Sequence, residues 1–535
     1  MIKKFNIREN IIKIISLLFS IFFAIILINT IFFNRTVHIG YKISTMIIFT
    51  IFTYSVLFLF YKIYKKLNLK FLEYEPNKIV ISLTFIVIFI VQCIIAKLTY
   101  AHYGWDCEVV ITNGLALVRG ETFKSEYFTQ YPNNIAILLI TKYILLIAKM
   151  FTEIELNNAF YIMIIFNIIM VDIAALFTFL TCKKLLGNKG AYFSLIFIIP
   201  LIILSPYIII PYTDTITMAF PITILYIYME IKELPNKSIK KKILIFLEGF
   251  LSAMGFLIKP TVIIVTLAIL IIEILYIKMS KLKKVKIIEP IAICVLFILG
   301  FSLAYSSHSY FKEKNLGQLI SKEQYYDNSI PITHFLMIGM QERDNETESP
   351  GKNKTYYGNY SSEDKKLTKS IIGYREKEKY NLQIVKQRLI DFGFTGYIKF
   401  LYNKANWILC DGTFFYGCEG SWVQEDYYEK SQIGRFFQQF INKNTEQYQR
   451  ITANIMQTAW ILVTIGLICS FCRKNNNSIN IAKFSIIGII LFILIFEGRS
   501  RYLINYIPMF ILVGTYGLRN ILQHNLLKLK KRRNV

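Results

Sequence analysis

Five short stretches hold charged or hydroxyl-bearing side chains whose types and spacing suit acid–base and phosphate chemistry. Tyr103-Gly-Trp-Asp-Cys-Glu108 sets Asp106 and Glu108 two residues apart, just beyond an apolar segment. A carboxylate at a membrane boundary can act as a base on a hydroxyl, although a solvated loop carboxylate is the plainer reading of either. Gln130-Tyr-Pro-Asn-Asn134 follows, with Pro132 suited to a helix start and Asn133 and Asn134 offering polar groups. Asp214 ends the run Tyr207-Ile-Ile-Ile-Pro-Tyr-Thr-Asp214 at the head of a helix, where capping explains a carboxylate almost as well as catalysis. Lys259, in Gly255-Phe-Leu-Ile-Lys-Pro-Thr261, stands between two apolar helices. A cation there either snorkels to solvent or binds a phosphate. The most informative motif is Glu497-Gly-Arg-Ser-Arg-Tyr502, one acidic and two basic residues between apolar flanks. Two guanidiniums at headgroup level clamp a phosphate bidentately while Glu497 orients one of them. An ordinary charged turn fits less well, because basic residues are disfavoured on the outer side of a membrane.

The elements that position these residues are membrane spans. Of 535 residues 54% are hydrophobic and 15% aromatic, with a mean hydropathy of +0.45, and the apolar residues come in blocks. Runs such as 11–33 and 79–97 are long enough to cross a hydrocarbon core of roughly 30 Å as helices, which satisfy their own backbone there. The first run lacks a small-residue cleavage pattern and reads as a retained helix. The net charge of +26 is not a nucleic-acid face: from Ser306 to Arg450, 20 Lys and Arg stand against 18 Asp and Glu, a net of +2. The excess sits in short loops, at Lys3, Lys4 and Arg8, Lys62 to Lys70, Lys183 to Lys189, Lys240 to Lys242, Lys281 to Lys286, Arg473 and Lys474, and Lys528 to Arg533. Recurring between apolar segments, these clusters mark the cytoplasmic side, so no nucleic acid is expected as a partner. The eight cysteines are scattered; Cys469 and Cys472 lack a second pair for a zinc site, and Cys410 and Cys418 can form a disulfide.

Thirteen apolar segments are candidates: 11–33, 43–61, 79–97, 133–151, 158–181, 191–210, 213–229, 244–258, 261–277, 287–305, 453–472, 480–496 and 502–520. Both termini carry basic clusters and are expected in the cytoplasm, which requires an even number of crossings. All the basic loops become cytoplasmic if 133–151 is skipped, and that segment alone carries Lys142 and Lys149 on an otherwise apolar helix. The expected fold is therefore an α-helical polytopic membrane protein of about twelve spans, with a juxtamembrane helix in the first large outer loop. The expected divisions are an N-terminal hairpin (1–78), a transmembrane catalytic core (79–305) with outer loop 98–157, a mixed extracytoplasmic domain (306–450), and C-terminal helices with a basic tail (451–535). In that domain Trp407, Phe414, Phe415, Tyr416, Trp422, Tyr427 and Tyr428 can build a small core or a sugar-stacking surface, core being the expectation, and the polar stretch Glu342 to Asp364 is expected to be mobile.

This layout resembles the C-type membrane glycosyltransferases, the superfamily of protein O-mannosyltransferases and lipid A aminoarabinose transferases. The resemblance rests on the Trp-Asp-Cys-Glu loop after an early span, Tyr131-Pro132, Asp214 heading a helix, Lys259-Pro260 in a hairpin, and Glu497-x-Arg-x-Arg-Tyr502 before the last span. It implies a polyprenyl-phosphate-linked sugar as donor, a cell-envelope acceptor, and transfer with inversion at the outer face of the cell membrane. Asp106 is then the general base, with Glu108 and Asp214 as further catalytic carboxylates. Lys259, Arg499 and Arg501, with Glu497 and Tyr502, hold the leaving phosphate, and Trp105, Tyr131 and Asn133 belong to the substrate loop. The chain departs from the mannosyltransferase pattern where Cys107 separates Asp106 from Glu108, and where a second proline is missing after Pro132. A divalent ion could bridge Asp106 and a phosphate, though no ligand cluster demands one. The competing class is a transporter or flippase for a lipid-linked saccharide. Transporters show internal repeats and broken midplane helices; no repeat is evident here, and Asp172, expected to pair with a neighbouring helix, is the one midplane carboxylate that stands out.

Overall fold

The computed structural model describes residues 7–32, 43–66, 77–276, 288–344, 355–416, 423–424, 430–472 and 476–519. The basic clusters at 281–286 and 528–533, Cys418 and with it the Cys410–Cys418 pairing, Trp422, Tyr427 and Tyr428 lie outside the described residues.

The protein is an α-helical polytopic membrane protein. Among the described residues seven helices are long and apolar enough to cross a membrane: Glu9–Phe32, Lys78–Leu98, Pro132–Lys149, Leu156–Ile203, Ile291–Leu316, Tyr448–Cys469 and Asn477–Ile495. The helices Ile43–Lys66, Ala219–Glu233, Ile239–Ile258, Ile263–Tyr276 and 507–519 pack with them. The sequence segments 158–181 and 191–210 are two helices that meet at a kink at Gly187 within the stretch Leu156–Ile198, and the second continues into a π-turn at Ile199–Ile203. Hydropathy separates them because Lys183 to Lys189 interrupts the apolar run, and the backbone breaks in the same place, at Gly187, whose φ of 70° and ψ of 179° suit a residue without Cβ. Pro132–Lys149 meets the length and composition of a span, although the charge pattern of the sequence leads one to expect it along the outer surface. It packs on the Asp106–Arg119 and Leu156–Ile198 helices, with Lys142 donating to Asn315 and Lys149 to the Val118 carbonyl at 3.3 Å. Asp172 is buried beside Gln92 of the Lys78–Leu98 helix.

One continuous core joins the spans to the residues around position 410, where Trp407, Phe414, Phe415 and Tyr416 are all buried. The β content is small: His102–Tyr103 pairs antiparallel with Val423–Gln424, and Glu342–Asp344 with Thr355–Tyr357. The second ladder lies in the stretch expected to be mobile, so its described parts are ordered by cross-strand bonds.

The long polar stretch before Tyr448 is fastened to the Glu497 to Tyr502 turn. The Glu497 amide donates to the Phe335 carbonyl at 2.7 Å and the Gly498 amide to Gly358 at 2.9 Å. Beneath them Lys404, fully buried, gives its ammonium protons to the carbonyls of Phe496 (2.6 Å), Gly339 (2.7 Å) and Leu494 (3.1 Å). Three carbonyl acceptors replace the water a buried lysine loses. Beside Phe335, His334 contacts Thr368 at 2.8 Å, and the Thr368 hydroxyl donates onward to Asn381 at 3.0 Å. The hydroxyl proton is committed, so His334 Nδ1 carries the hydrogen and Nδ1–H donates to Thr368.

Burial pushes the His334 imidazole down from 6.5 to about 4, against the opposing charge of Asp364. A histidine whose folded pKa is depressed contributes stability that is fully present above pH 6.5 and is lost as pH falls towards 4. The thermal midpoint of the purified protein should therefore fall through that window, with this residue responsible for at most about 3 kcal/mol. His334→Asn, which keeps a donor near the Nδ1 position and cannot titrate, should flatten the fall; an unchanged pH profile would remove His334 as its cause.

Candidate active site

Five backbone features converge on one cluster. Asp106 opens the Asp106–Arg119 helix, and the residue before it, Trp105, has φ 69° and ψ −142°, a region that costs a residue with a side chain roughly 1–3 kcal/mol. Tyr131 precedes a 3₁₀ turn, Pro132–Asn134, with Pro132 at its first position as its fixed φ requires. Asp214 lies in the single-turn helix Thr213–Ile216. Lys259 is extended at φ −147°, as a residue before proline tends to be, and the 3₁₀ turn Pro260–Val262 follows. The Ser500–Tyr506 3₁₀ helix is stitched to that hairpin by Asn505, which donates to Thr261 Oγ1 at 3.0 Å, and by the Tyr506 hydroxyl, which donates to the Thr261 carbonyl at 2.9 Å.

Asp106 is held by two phenols: Tyr127 donates to Oδ1 at 2.7 Å and Tyr212 to Oδ2 at 3.2 Å. Asn134 closes the ring, donating to the Tyr127 oxygen at 2.7 Å while its own Oδ1 lies 3.3 Å from the Tyr212 hydroxyl. Asn133 touches this ring only through Asn134, at 3.2 Å. Burial, and after it the neighbouring Tyr212 and Asp106 charges, pushes the Tyr127 phenol up, so it stays a hydrogen-bond donor. Burial followed by Asp106 does the same to Tyr131.

The cations form the facing half. Asp214 is shared by Lys259 and by Arg501 Nη1 at 3.3 Å, all three with buried side chains. Asp214 does not cap its helix; its carboxylate is taken up by the two cations. Glu497 accepts from Arg499 Nε at 3.0 Å and from the Tyr502 hydroxyl at 3.3 Å. Aromatic rings lie under the cations: Tyr502 under Lys259 (4.9 Å) and Arg501 (5.4 Å), Trp105 (5.9 Å) and Tyr360 (5.8 Å) under Arg499. Tyr212 joins the halves, its hydroxyl on Asp106 and its ring 5.7 Å from the Arg501 guanidinium. A carboxylate able to take a proton and cations able to hold a phosphate thus share one aromatic-lined site.

Of the sequence candidates, Asp106, Asp214, Lys259, Glu497, Arg499, Arg501, Tyr502, Trp105 and Tyr131 come together. Glu108 does not join this network: it is on the same helix turn, and its charge acts on His102 and Cys107. Tyr127, Tyr212, Tyr360, Lys365 and Lys404 were not legible as site residues. Tyr212 stands two positions before Asp214, but nothing in the sequence aims its hydroxyl at Asp106.

No curated protein matches the sequence. The chain is similar to two solved structures of ArnT from Cupriavidus metallidurans. The apo form has a TM-score of 0.31 and 10% identity, covering 82% of this chain and 77% of that one. The form bound to undecaprenyl phosphate has a TM-score of 0.30 and 11% identity, covering 82% and 78%. Residues 4–521 match the family described as conserved hypothetical integral membrane protein, and the chain belongs to that family.

Proposed function

We propose that the protein is a glycosyltransferase that moves a sugar from a polyprenyl-phosphate carrier to a hydroxyl of a cell-envelope acceptor. The observation that carries this reading is Tyr212, which ties the Asp106 carboxylate to the Arg501 cation across a single ring. The motif resemblance to C-type membrane glycosyltransferases points the same way.

In the reaction the acceptor oxygen attacks the anomeric carbon as its proton passes to Asp106. The bond from that carbon to the phosphate oxygen breaks, the electron pair leaves with the phosphate, and the anomeric centre inverts. A phosphate is a good leaving group and needs charge stabilisation more than protonation. Arg499 is balanced by Glu497, while Lys259 and Arg501 together exceed Asp214 by one charge, so the cluster can receive one more anion. Tyr127 and Tyr212 fix the carboxylate plane, which keeps Asp106 ready for the proton without a second acid.

The test is reconstitution into vesicles with a polyprenyl-phosphate sugar and envelope extract. Wild-type protein should glycosylate the acceptor and Arg499→Ala should lose most of that activity. Undiminished transfer by Arg499→Ala would remove the phosphate role.

The same reading places both termini in the cytoplasm, residues 306–450 outside, and the protein in the cell membrane, with 133–151 lying in the outer interface. Single cysteines introduced at 152–157 should then react with an impermeant thiol reagent applied from outside. Protection there would make 133–151 a span and reverse the assigned sidedness.

A further inference from the structure

Lys365 lies in the first turn of the Ser362–Ser370 helix, a residue that the phosphate-binding motifs do not include. Its ammonium sits 5.2 Å from the Tyr131 ring and 5.6 Å from the Tyr360 ring. Tyr131 in turn packs against Tyr127, which holds Asp106. The other cations of the site are committed to carboxylates, Lys259 and Arg501 to Asp214 and Arg499 to Glu497. Among the described residues Lys365 has aromatic faces for neighbours and no carboxylate within ion-pair distance. Asp106 likewise is held by phenols rather than by a cation. One ammonium and one carboxylate are thus left to act on the same molecule.

The turn that presents Lys365 is fixed in place. Ser361 caps it, accepting from the Asp364 amide at 3.1 Å, and the Lys365 amide donates to the Ser361 carbonyl at 3.0 Å. Asp364 is paired with Arg388 at 2.9 Å. Farther along the helix Lys369 reaches Glu126 at 3.5 Å, tying this element to the segment that carries Tyr127 and Tyr131. Lys365 is half-buried, and burial followed by Lys369 pulls its ammonium down, with Asp106 and Glu497 acting the other way. An arriving anion would engage it without breaking an existing ion pair, and a desolvated cation held by ring faces gains a strong charge-assisted bond.

We propose that Lys365 receives an anionic group carried by the acceptor, so that the hydroxyl activated at Asp106 belongs to a phosphate- or carboxylate-bearing molecule. This rests on the transferase reading and names its acceptor class. The donor's phosphate has its own cations at Asp214 and Glu497; Lys365 stands between the halves, against Tyr131 beside the Asp106 ring and against Tyr360, whose ring it shares with Arg499, so it is the cation left for a second anion.

The experiment uses the full-length protein and three probes: undecaprenyl phosphate for the donor's carrier, glycerol phosphate for an anionic acceptor, and glycerol for a neutral one. Glycerol phosphate should shield Lys365 from an amine-acetylating reagent, read by peptide mass spectrometry, and should do so with undecaprenyl phosphate already bound; glycerol should not. Lys365→Gln should weaken glycerol phosphate binding about tenfold to hundredfold, Lys365→Arg should restore most of it, and in transfer assays the KM for acceptor should rise while that for donor stays. Shielding by undecaprenyl phosphate to which glycerol phosphate adds nothing would hand the cation to the donor and overturn the proposal, as would no shielding by either. Sugar transfer with an unshielded Lys365 defeats this proposal alone, whereas absence of transfer by wild-type protein defeats the transferase reading itself.

Discussion

Asp106→Asn should lower sugar transfer about 10²–10⁴-fold, the range a positioned general base contributes, with the KM for donor nearly unchanged. The side chain keeps its shape and still accepts from one phenol, so the thermal midpoint should stay close to that of wild type. Tyr127→Phe and Tyr212→Phe each remove one bond to the carboxylate, at 2.7 Å and 3.2 Å, and should produce smaller losses in kcat than the asparagine variant. Glu108→Gln is the internal comparison. That residue lies one position beyond Cys107 but outside the phenol network, and its replacement should leave most activity in place. Equal losses from Asp106→Asn and Glu108→Gln would mean that the loop as a whole, rather than one carboxylate, is required.

The second large effect is on stability. Asp214 is buried with Lys259 and Arg501 on either side, and removing it leaves two desolvated cations facing each other. Breaking a buried pair in this way destabilises by about 3–5 kcal/mol, because the remaining charge keeps its desolvation penalty and loses its partner. Asp214→Ala should accordingly unfold at clearly lower temperature in detergent. Replacing Lys259 by Met in the same chain removes one stranded cation and should recover part of the loss. Additive effects of the two substitutions would show that the ion pair is not formed.

How much of this was legible in the sequence follows from what each signal depends on. Charge inside apolar flanks is a local signal, and it found Asp214, Lys259 and the Glu497 to Tyr502 turn, which do meet. Hydropathy reads composition, and its break at Lys183 to Lys189 coincides with the backbone kink at Gly187 that divides Leu156–Ile198 into two helices. The phenols were not readable: among 35 tyrosines, nothing local distinguishes Tyr127 or Tyr212 from those that merely pack. Asp214 looked like a helix cap, and only the arrival of Lys259 and Arg501 from distant parts of the chain shows the carboxylate otherwise engaged. Lys365 and Tyr360 lay in or beside a polar stretch whose composition suggests mobility; the Glu342–Asp344 ladder, Ser361 and Arg388 supply the order. Lys404 reads as one more lysine of a polar segment until three carbonyls converge on it.

The most direct measurement is the stoichiometry of the reconstituted reaction, counting released polyprenyl phosphate and glycosylated acceptor in the same vesicles. One phosphate released per sugar transferred, abolished by Asp106→Asn, is the expected result. Movement of the intact lipid-linked sugar across the bilayer, with no phosphate released and no sensitivity to Asp106→Asn, would contradict it and make the protein a flippase.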